Sequence, residues 1–489
     1  MLEIKNLSIE LNSRFLIRDL SFVLNKKDKL AIIGEEGNGK TSLIKAILGI
    51  NNYCEITGNI KIFGTIGYLA QEFNKEELQL SVRDYLFASI DDYYDALSNL
   101  YYYLEQVDLA ESILNREKLE TLSGGEKVKV GLLKLIIQES DILILDEPTN
   151  NLDLKTLEFL EQFLKQITKP IIFISHDEQL IENVANMLLH LEIVKKKTEC
   201  KHTITKLKLS EYKEYRNQTI EKNIMIANKE EANFKKQQAR MNQIMQKVEH
   251  QQNTISRSDP HGGYLLKKKM KSIKSIEKRI NKEKRTDLPS FEESIEFFIN
   301  NNSLPNKKRI LDLHQEIFSQ EINLEIYGNE HIVITGNNGV GKTRLLRIIY
   351  DLLKIRKDLN IFYMPQNYFE LLPVDKTPIE YLTTKVKRED IRSRLGSLNV
   401  TKDEMISKIN QFSGGTKAKI FLCELALSNA NVLILDEPTR NFSPLSTPVL
   451  INSLKNFNGA IIAVTHDRAF INVVSDKIYV LEEDELVIK

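Results

Sequence analysis

The chain repeats itself. Gly34-Glu35-Glu36-Gly37-Asn38-Gly39-Lys40-Thr41, followed by Ser42, returns as Gly336-Asn337-Asn338-Gly339-Val340-Gly341-Lys342-Thr343. Ser123-Gly124-Gly125-Glu126-Lys127 returns as Ser413-Gly414-Gly415-Thr416-Lys417. The run from Ile142 to Asp146-Glu147-Pro148-Thr149 returns from Val432 to Asp436-Glu437-Pro438-Thr439, and Ser175-His176-Asp177 returns as Thr465-His466-Asp467. Ser123 and Asp146 are 23 residues apart, as are Ser413 and Asp436; Asp146 and His176 are 30 apart, as are Asp436 and His466. Four motifs in one order with two identical spacings mean a duplicated domain, and self-similarity of this kind decides the architecture before any local pattern is read.

Each copy reads as α/β. Residues 29–33 and 330–335 are short apolar stretches that end at a glycine-rich turn. Apolar-periodic helices follow, with Leu43, Ile44, Ile47 and Leu48 in one copy and Leu345, Leu346, Ile348 and Ile349 in the other. Residues 141–145, 170–175, 431–435 and 460–465 are mostly apolar runs, as expected of parallel strands buried on both faces. The expected fold is two P-loop α/β domains in tandem, each with a mostly parallel sheet.

Between the copies the pattern changes. Residues 211–253 contain neither Pro nor Gly and favour helix. Ile220, Ile224, Ala227, Phe234, Met241, Met245 and Val248 form a stripe at three-four spacing, interrupted by Glu231 and Gln238, on a helix about 60 Å long at 1.5 Å per residue. Ser258-Asp259-Pro260-His261-Gly262-Gly263 predicts a break. A second helix would carry Leu266, Met270, Ile273, Ile276 and Ile280, and Leu288-Pro289-Ser290 would end it. The expectation is an antiparallel helical hairpin, a coiled coil over residues 209–286, between domains at 1–208 and 287–489. The chain as a whole is neutral, with 68 basic and 68 acidic residues, yet residues 209–286 hold 19 basic and 9 acidic ones. That segment is +10 and the rest −10, a localisation that suits a polyanionic partner.

A glycine-rich loop between a strand and a helix turns backbone N–H groups inward to cradle phosphates, helped by the positive helix terminus. Lys40 and Lys342 are therefore expected on the β- and γ-phosphates of ATP, and Thr41 and Thr343 on magnesium. Asp146 and Asp436 end apolar strands and would hold that magnesium, while Glu147 and Glu437 would orient and polarise the attacking water.

Ser-Gly-Gly-Glu/Thr-Lys upstream of Leu-Asp-Glu-Pro-Thr resembles the signature and Walker B motifs of ABC ATPases. The resemblance covers both repeats and implies more. His176 and His466 match switch histidines, and Gln71 and Gln366 match Q-loop glutamines near the metal. In that family two cassettes meet head to tail, so ATP lies between one P-loop and the other signature. Carried over, Lys40 is paired with Ser413-Gly414-Gly415, and Lys342 with Ser123-Gly124-Gly125 and Glu126, in a monomer holding an intramolecular cassette dimer. Two cassettes around a basic hairpin, with no membrane segment, resemble the ABC-F subfamily of cytoplasmic ATPases that bind the ribosome. Their linker enters the tRNA exit site and points at the peptidyl-transferase centre, against large-subunit rRNA and tRNA. The tip is expected over residues 256–269, with Arg257, His261, Tyr264, Lys267, Lys268, Lys269 and the following Lys271 as contacts. The Thr439-Arg440-Asn441-Phe442-Ser443-Pro444 segment most resembles the type that protects ribosomes from pleuromutilins, lincosamides and streptogramin A. So does the short spacing of 52 residues from Gln71 to Ser123. A housekeeping ABC-F translation factor is the alternative, and the ATPase subunit of a transporter a more distant one.

Some residues depart from the pattern. Thr416 stands where the first signature has Glu126, and Ser443 where the first copy has Asp153. These differences predict unequal sites, with slower hydrolysis where the second signature is used. The aromatic residue that stacks on adenine is missing at Leu11, with Phe15 as a substitute. Three scattered cysteines, Cys54, Cys200 and Cys423, offer no disulfide framework. With no signal-like N-terminus and no apolar run near the ~20 residues of a bilayer span, the expected location is the cytoplasm.

Overall fold

A computed structural model describes the 489-residue chain except residues 12–13, 51–53, 89–99, 108, 151, 195–198, 255–259, 283–296, 300–302, 318–319, 384–387, 441, 483–484 and 489. The chain forms two compact units, one of Met1–Ser210 with Glu292–Lys489 and one of Glu211–Phe291.

In the first unit the two copies build the same sheet. In the N-terminal copy, β1 (Leu2–Leu11), β2 (Arg14–Leu24) and β4 (Glu55–Ile62) form an antiparallel sheet in the order β2-β1-β4. β3 (Lys29–Ile33), β5 (Ile66–Leu69), β6 (Ile142–Asp146), β7 (Ile171–Ile174), β8 (Met187–Val194) and β9 (Glu199–Thr205) form a six-stranded sheet in the order β5-β6-β7-β3-β8-β9. All its pairings are parallel except β8 with β9. In the C-terminal copy β10 (Arg309–Ile317) and β11 (Gln320–Tyr327) pair antiparallel. β12 (His331–Thr335), β13 (Ile361–Met364), β14 (Val432–Asp436), β15 (Ala460–Val464), β16 (Lys477–Leu481) and β17 (Leu486–Ile488) repeat the large sheet in the order β13-β14-β15-β12-β16-β17. The expected α/β class is what the chain adopts.

The apolar runs of the sequence become the innermost strands. Every residue of β6, β7, β14 and β15 is buried. The helix Lys40–Ile47 covers one face of the sheet with Leu43, Ile44 and Ile47, exposed by at most 2%. At about 1.5–3 kcal/mol for each large aliphatic side chain removed from water, that stripe fixes the helix, and with it the loop that precedes it.

The second unit is helical. The helix Leu209–Thr254 spans 46 residues without interruption, as the absence of Pro and Gly predicts. Along its stripe Ile220, Ala227, Phe234, Met241 and Met245 are partly covered and Val248 is buried, but Ile224 stands 49% exposed. The second half of the expected break is helical. The second helix is Pro260–Lys282, so His261, Gly262, Gly263 and Tyr264 belong to its first turns rather than to a loop. Pro260 suits the first helical position, where its missing N–H has no intrahelical partner anyway. Residues 255–259, Arg257 among them, and Leu288-Pro289-Ser290 lie outside the described residues. Among those described, no helix is long and apolar enough to cross a membrane.

Candidate active site

Strand order gathers the motif residues of each copy. β3 lies between β7 and β8, and β6 lies beside β7. The glycine-rich loop leaves the carboxyl end of β3, Asp146 ends β6, and His176 follows β7 by two residues. They meet where the crossover reverses, the usual ligand edge of such sheets. Gly34 is obligatory there: its φ is +146°, and a Cβ would lie 2.3 Å from the Leu191 carbonyl oxygen. Asn38 donates to that same carbonyl at 2.9 Å, tying the loop to β8. Lys40 is buried and donates to the carbonyls of Gly34 and Glu35, at 2.8 and 3.2 Å. Lys342 donates to those of Gly336 and Asn337, at 2.8 and 2.7 Å.

Asp146 is 1% exposed and takes side-chain hydrogen bonds from Thr41 and Tyr68. Its Oδ1 has no hydrogen-bond partner, and burial, with Glu147 beside it, pushes its carboxyl up to about 6. Asp436 is bonded by Thr343 in the same way, keeps an unpartnered Oδ2, and is raised, chiefly by burial. Glu147 and Glu437 adopt left-handed backbone, with φ of +53° and +51°. Strain at two equivalent non-glycine positions marks them as places where side-chain direction is imposed.

The two glutamates then differ. Glu147 Oε1 sits 2.9 Å from His176 Nε2. Burial alone would raise its carboxyl, but His176 and Lys40 outweigh that and hold it below the usual range. In the other copy His466 Nε2 is 3.9 Å from Glu437, and His466 Nδ1 has no hydrogen-bond partner. Burial, then Asp436, pushes Glu437 up to about 7, although Thr465 Oγ1 donates to it at 3.2 Å. Burial pushes His466 down to about 4.

Residues from both copies complete the first site. A cavity beside Glu35, Glu36, Gly37 and Asn38 is lined from the other copy by Phe412, Ser413, Gly415, Thr416 and Lys419. Glu36 accepts a hydrogen bond from the Gly414 N–H, and a Cβ on Gly414 or Gly415 would come within 2.9 Å of its oxygens. The first glycine-rich loop therefore faces Ser413-Gly414-Gly415. A second cavity holds Lys40, Thr41, Ser42, Gln71, Glu147 and His176, together with Leu11, Leu16 and, from the other copy, Arg440. Phe15 is not part of its wall; it is 37% exposed and carries the Arg18 guanidinium 5.1 Å above its ring. Leu11 and Leu16 are the aliphatic side chains of that wall, which otherwise carries polar and charged groups such as Glu36, Lys40, His176 and Arg440.

Other contacts bind the copies together. Phe442 O lies 2.6 Å from His176 Nδ1. Asp153 accepts from the Asn338 N–H at 3.3 Å, in the second glycine-rich loop. Arg468 pairs with Glu161 at 2.9 Å and Asp177 at 3.3 Å, all three largely buried. Ser123 caps the helix Gly124–Ile137 in a box closed by Glu126, which returns a bond to the Ser123 N–H at 2.8 Å. Ser413 caps Gly414–Leu427, but Thr416 is too short to return that bond. Gln366 follows β13 by two residues and is partly buried. Glu35, Arg440, Ser443 and Ser446 had no cross-copy role assigned from sequence. The signal was a pair of acidic residues in one loop and the loss of one at position 443.

The family described as ABC transporter matches residues 17–150 and 319–440, one stretch in each copy. The ATP-binding protein Uup of Buchnera aphidicola is 28% identical over 508 residues, covering 100% of this chain and 81% of that protein. ABC transporter F family member 5 of Arabidopsis thaliana is 26% identical, covering 96% of this chain and 73% of its own length. Among solved structures, the archaeal ribosome recycling factor aABCE1 in complex with ribosomal stalk protein aP1 superposes with a TM-score of 0.60 at 15% identity. That match covers 98% of this chain and 89% of the other, and shows a shared fold.

Proposed function

The chain belongs to the ABC transporter family and hydrolyses ATP, and on that premise we propose that it is a cytoplasmic ABC-F ATPase acting on the ribosome. One observation carries the reading: two complete cassettes face each other across ATP-site residues, while a separate helical unit concentrates the basic charge. Similarity to an F family member supports it. Lys40 and Lys342 hold the phosphates with the loop N–H groups, and Ser413-Gly414-Gly415 and Ser123-Gly124-Gly125 close over them from the opposite cassette. Thr41, Asp146 and Gln71, and equally Thr343, Asp436 and Gln366, are hard oxygen donors that fit magnesium, and each aspartate has a buried oxygen without a partner. When bound, the ion neutralises charge on the β- and γ-phosphates. Glu147 and Glu437 accept a proton from the attacking water, and His176 and His466 orient them.

ATP favours the closed pair of cassettes, which favours the ribosome-bound form; hydrolysis reverses the shift. The linker directs Lys267, Lys268, Lys269 and Lys271, with Arg257, His261 and Tyr264, toward large-subunit rRNA and tRNA near the exit site. The narrower reading is protection against pleuromutilin, lincosamide and streptogramin A drugs, favoured by the resemblance at Thr439–Pro444. The second reading, a housekeeping translation factor, is favoured by a job that segment already has inside the molecule, where Phe442 and Ser443 contact the first cassette. Ribosome pelleting with ATP against ADP tests the shared claim. Growth of a sensitive host on these drugs separates the two forms, and no protection leaves the housekeeping one.

A further inference from the structure

Equivalent positions in the two cassettes carry opposite charge patterns. At the second site the loop is neutral, Asn337-Asn338, and the carboxylate comes from the facing cassette as Asp153. Asp153 Oδ1 caps its own helix through the Thr156 N–H at 2.9 Å, while Oδ2 accepts from the Asn338 N–H at 3.3 Å. At the first site the facing residue is Ser443, the counterpart of Asp153, and the loop is acidic, Glu35-Glu36. Ser443 Oγ also caps its own segment, through the Ser446 N–H at 3.3 Å, and donates to Glu35 Oε1 at 2.5 Å. Ser446 Oγ donates to the same oxygen, and Lys419 Nζ lies 3.6 Å from the other.

Lys419 completes the exchange. Its counterpart Lys129 packs its ammonium 5.0 Å over the Phe159 ring. The second cassette has Val449 at the position of Phe159, and Lys419 turns to Glu35 instead. Burial opposes the charge on Glu35, yet Lys419, Ser443, Ser446 and Lys40 bring its carboxyl down to about 2. A carboxylate 15% exposed, with two hydroxyl donors and an ammonium from the facing cassette, is a built contact and not a surface pairing.

We propose that Glu35 is a positioning residue of the first ATP site, supplying from the loop the inter-cassette carboxylate that Asp153 supplies from the facing strand-to-helix turn at the second. Glu35 and Asp153 thus reach across their seams from opposite sides, Glu35 beside Glu36, which accepts from the Gly414 N–H at the same seam. Glu35 sets the distance between the first glycine-rich loop and the 442–446 segment, whose Phe442 carbonyl meets His176. Closure of the cassettes is thereby tied to the histidine that orients Glu147. The inference rests on the reading of this seam as an ATP site and is independent of ribosome binding.

The test is a charge exchange in the full-length chain, with kcat and KM for ATP measured for each variant. Glu35→Asn removes the anchor and Ser443→Asp places a second carboxylate against Glu35, so each alone should lower kcat at least tenfold. The double variant moves the carboxylate to the facing cassette, as at the second site, with Glu36 unchanged, and should recover at least half of the lost kcat. KM should change less than kcat in the single variants, because the loop still binds phosphates. Should the exchanged chains prove unfolded by circular dichroism, Ser443→Ala with Ser446→Ala removes both hydroxyl donors at small structural cost and should also lower kcat about tenfold. A double exchange no more active than the worse single variant, or an unchanged kcat after hydroxyl removal, overturns the inference. A wild-type chain without ATPase activity would instead overturn the reading of the site.

Discussion

Glu147 and Glu437 occupy the same place in their cassettes and have different surroundings. Glu147 lies 2.9 Å from a histidine whose other ring nitrogen meets a carbonyl of the other cassette. Glu437 leans on Thr465 and stands farther from its histidine. The sequence departures at Thr416 and Ser443 point to slower hydrolysis at the Glu147 site, but the geometry points the other way. We predict that Glu147→Gln lowers turnover more than Glu437→Gln, by roughly tenfold, because it also dismantles the cross-cassette link. Equal rates in the two single variants would contradict this. The nucleotide wall gives a second residue-scale expectation. Leu11→Ala should weaken ATP binding about fivefold, the order expected when a partly covered leucine is trimmed from a ligand face. Phe15→Ala should leave it unchanged, and titration with a fluorescent ATP analogue reads both. The motif residues themselves were legible from sequence because phosphate and metal chemistry restricts residue type and spacing. Glu35 with Ser443 was not, since the partners are 408 positions apart. The missing aspartate was visible at Ser443, but not what replaced it.

At the scale of elements, strands and helices followed from burial. β6 and β14 read as apolar runs because parallel strands are covered on both faces, and the long linker helix followed from its lack of breakers. Residues 260–263 are helical for a physical reason. Pro260 and Gly262-Gly263 look like one breaker cluster, yet proline suits a helix start, and glycine costs only about 1 kcal/mol at each helical position. The effect is to place Lys267, Lys268, Lys269 and Lys271, all exposed, on a helix surface rather than beside a loop. Helical spacing holds ammonium groups at a regular rise and suits a phosphate backbone. Replacing these four lysines with Gln should weaken ribosome binding and reduce its salt dependence, with a log–log slope smaller by up to about four. Binding assays across a salt series check this, and an unchanged slope would move the RNA contact elsewhere.

The whole molecule is a duplication that has diverged across its seam. Arg468 with Glu161 and Asp177, Asp153 with Asn338, and Glu35 with Ser443 and Ser446 all join one cassette to the other. None repeats its counterpart, so each surface recognises its partner and not a copy of itself, which suits a dimer closed within one chain. The central claim is that closure on ATP, read out through the basic helical unit, holds this ATPase on the ribosome. Its most direct measurement is the pelleting of purified ribosomes with the Glu147→Gln/Glu437→Gln chain, which should bind ATP without hydrolysing it. We predict that this chain pellets with ribosomes in ATP, is released when ADP replaces it, and binds more weakly as salt rises. Pelleting that is absent, or the same with ATP, ADP or no nucleotide, would contradict the claim.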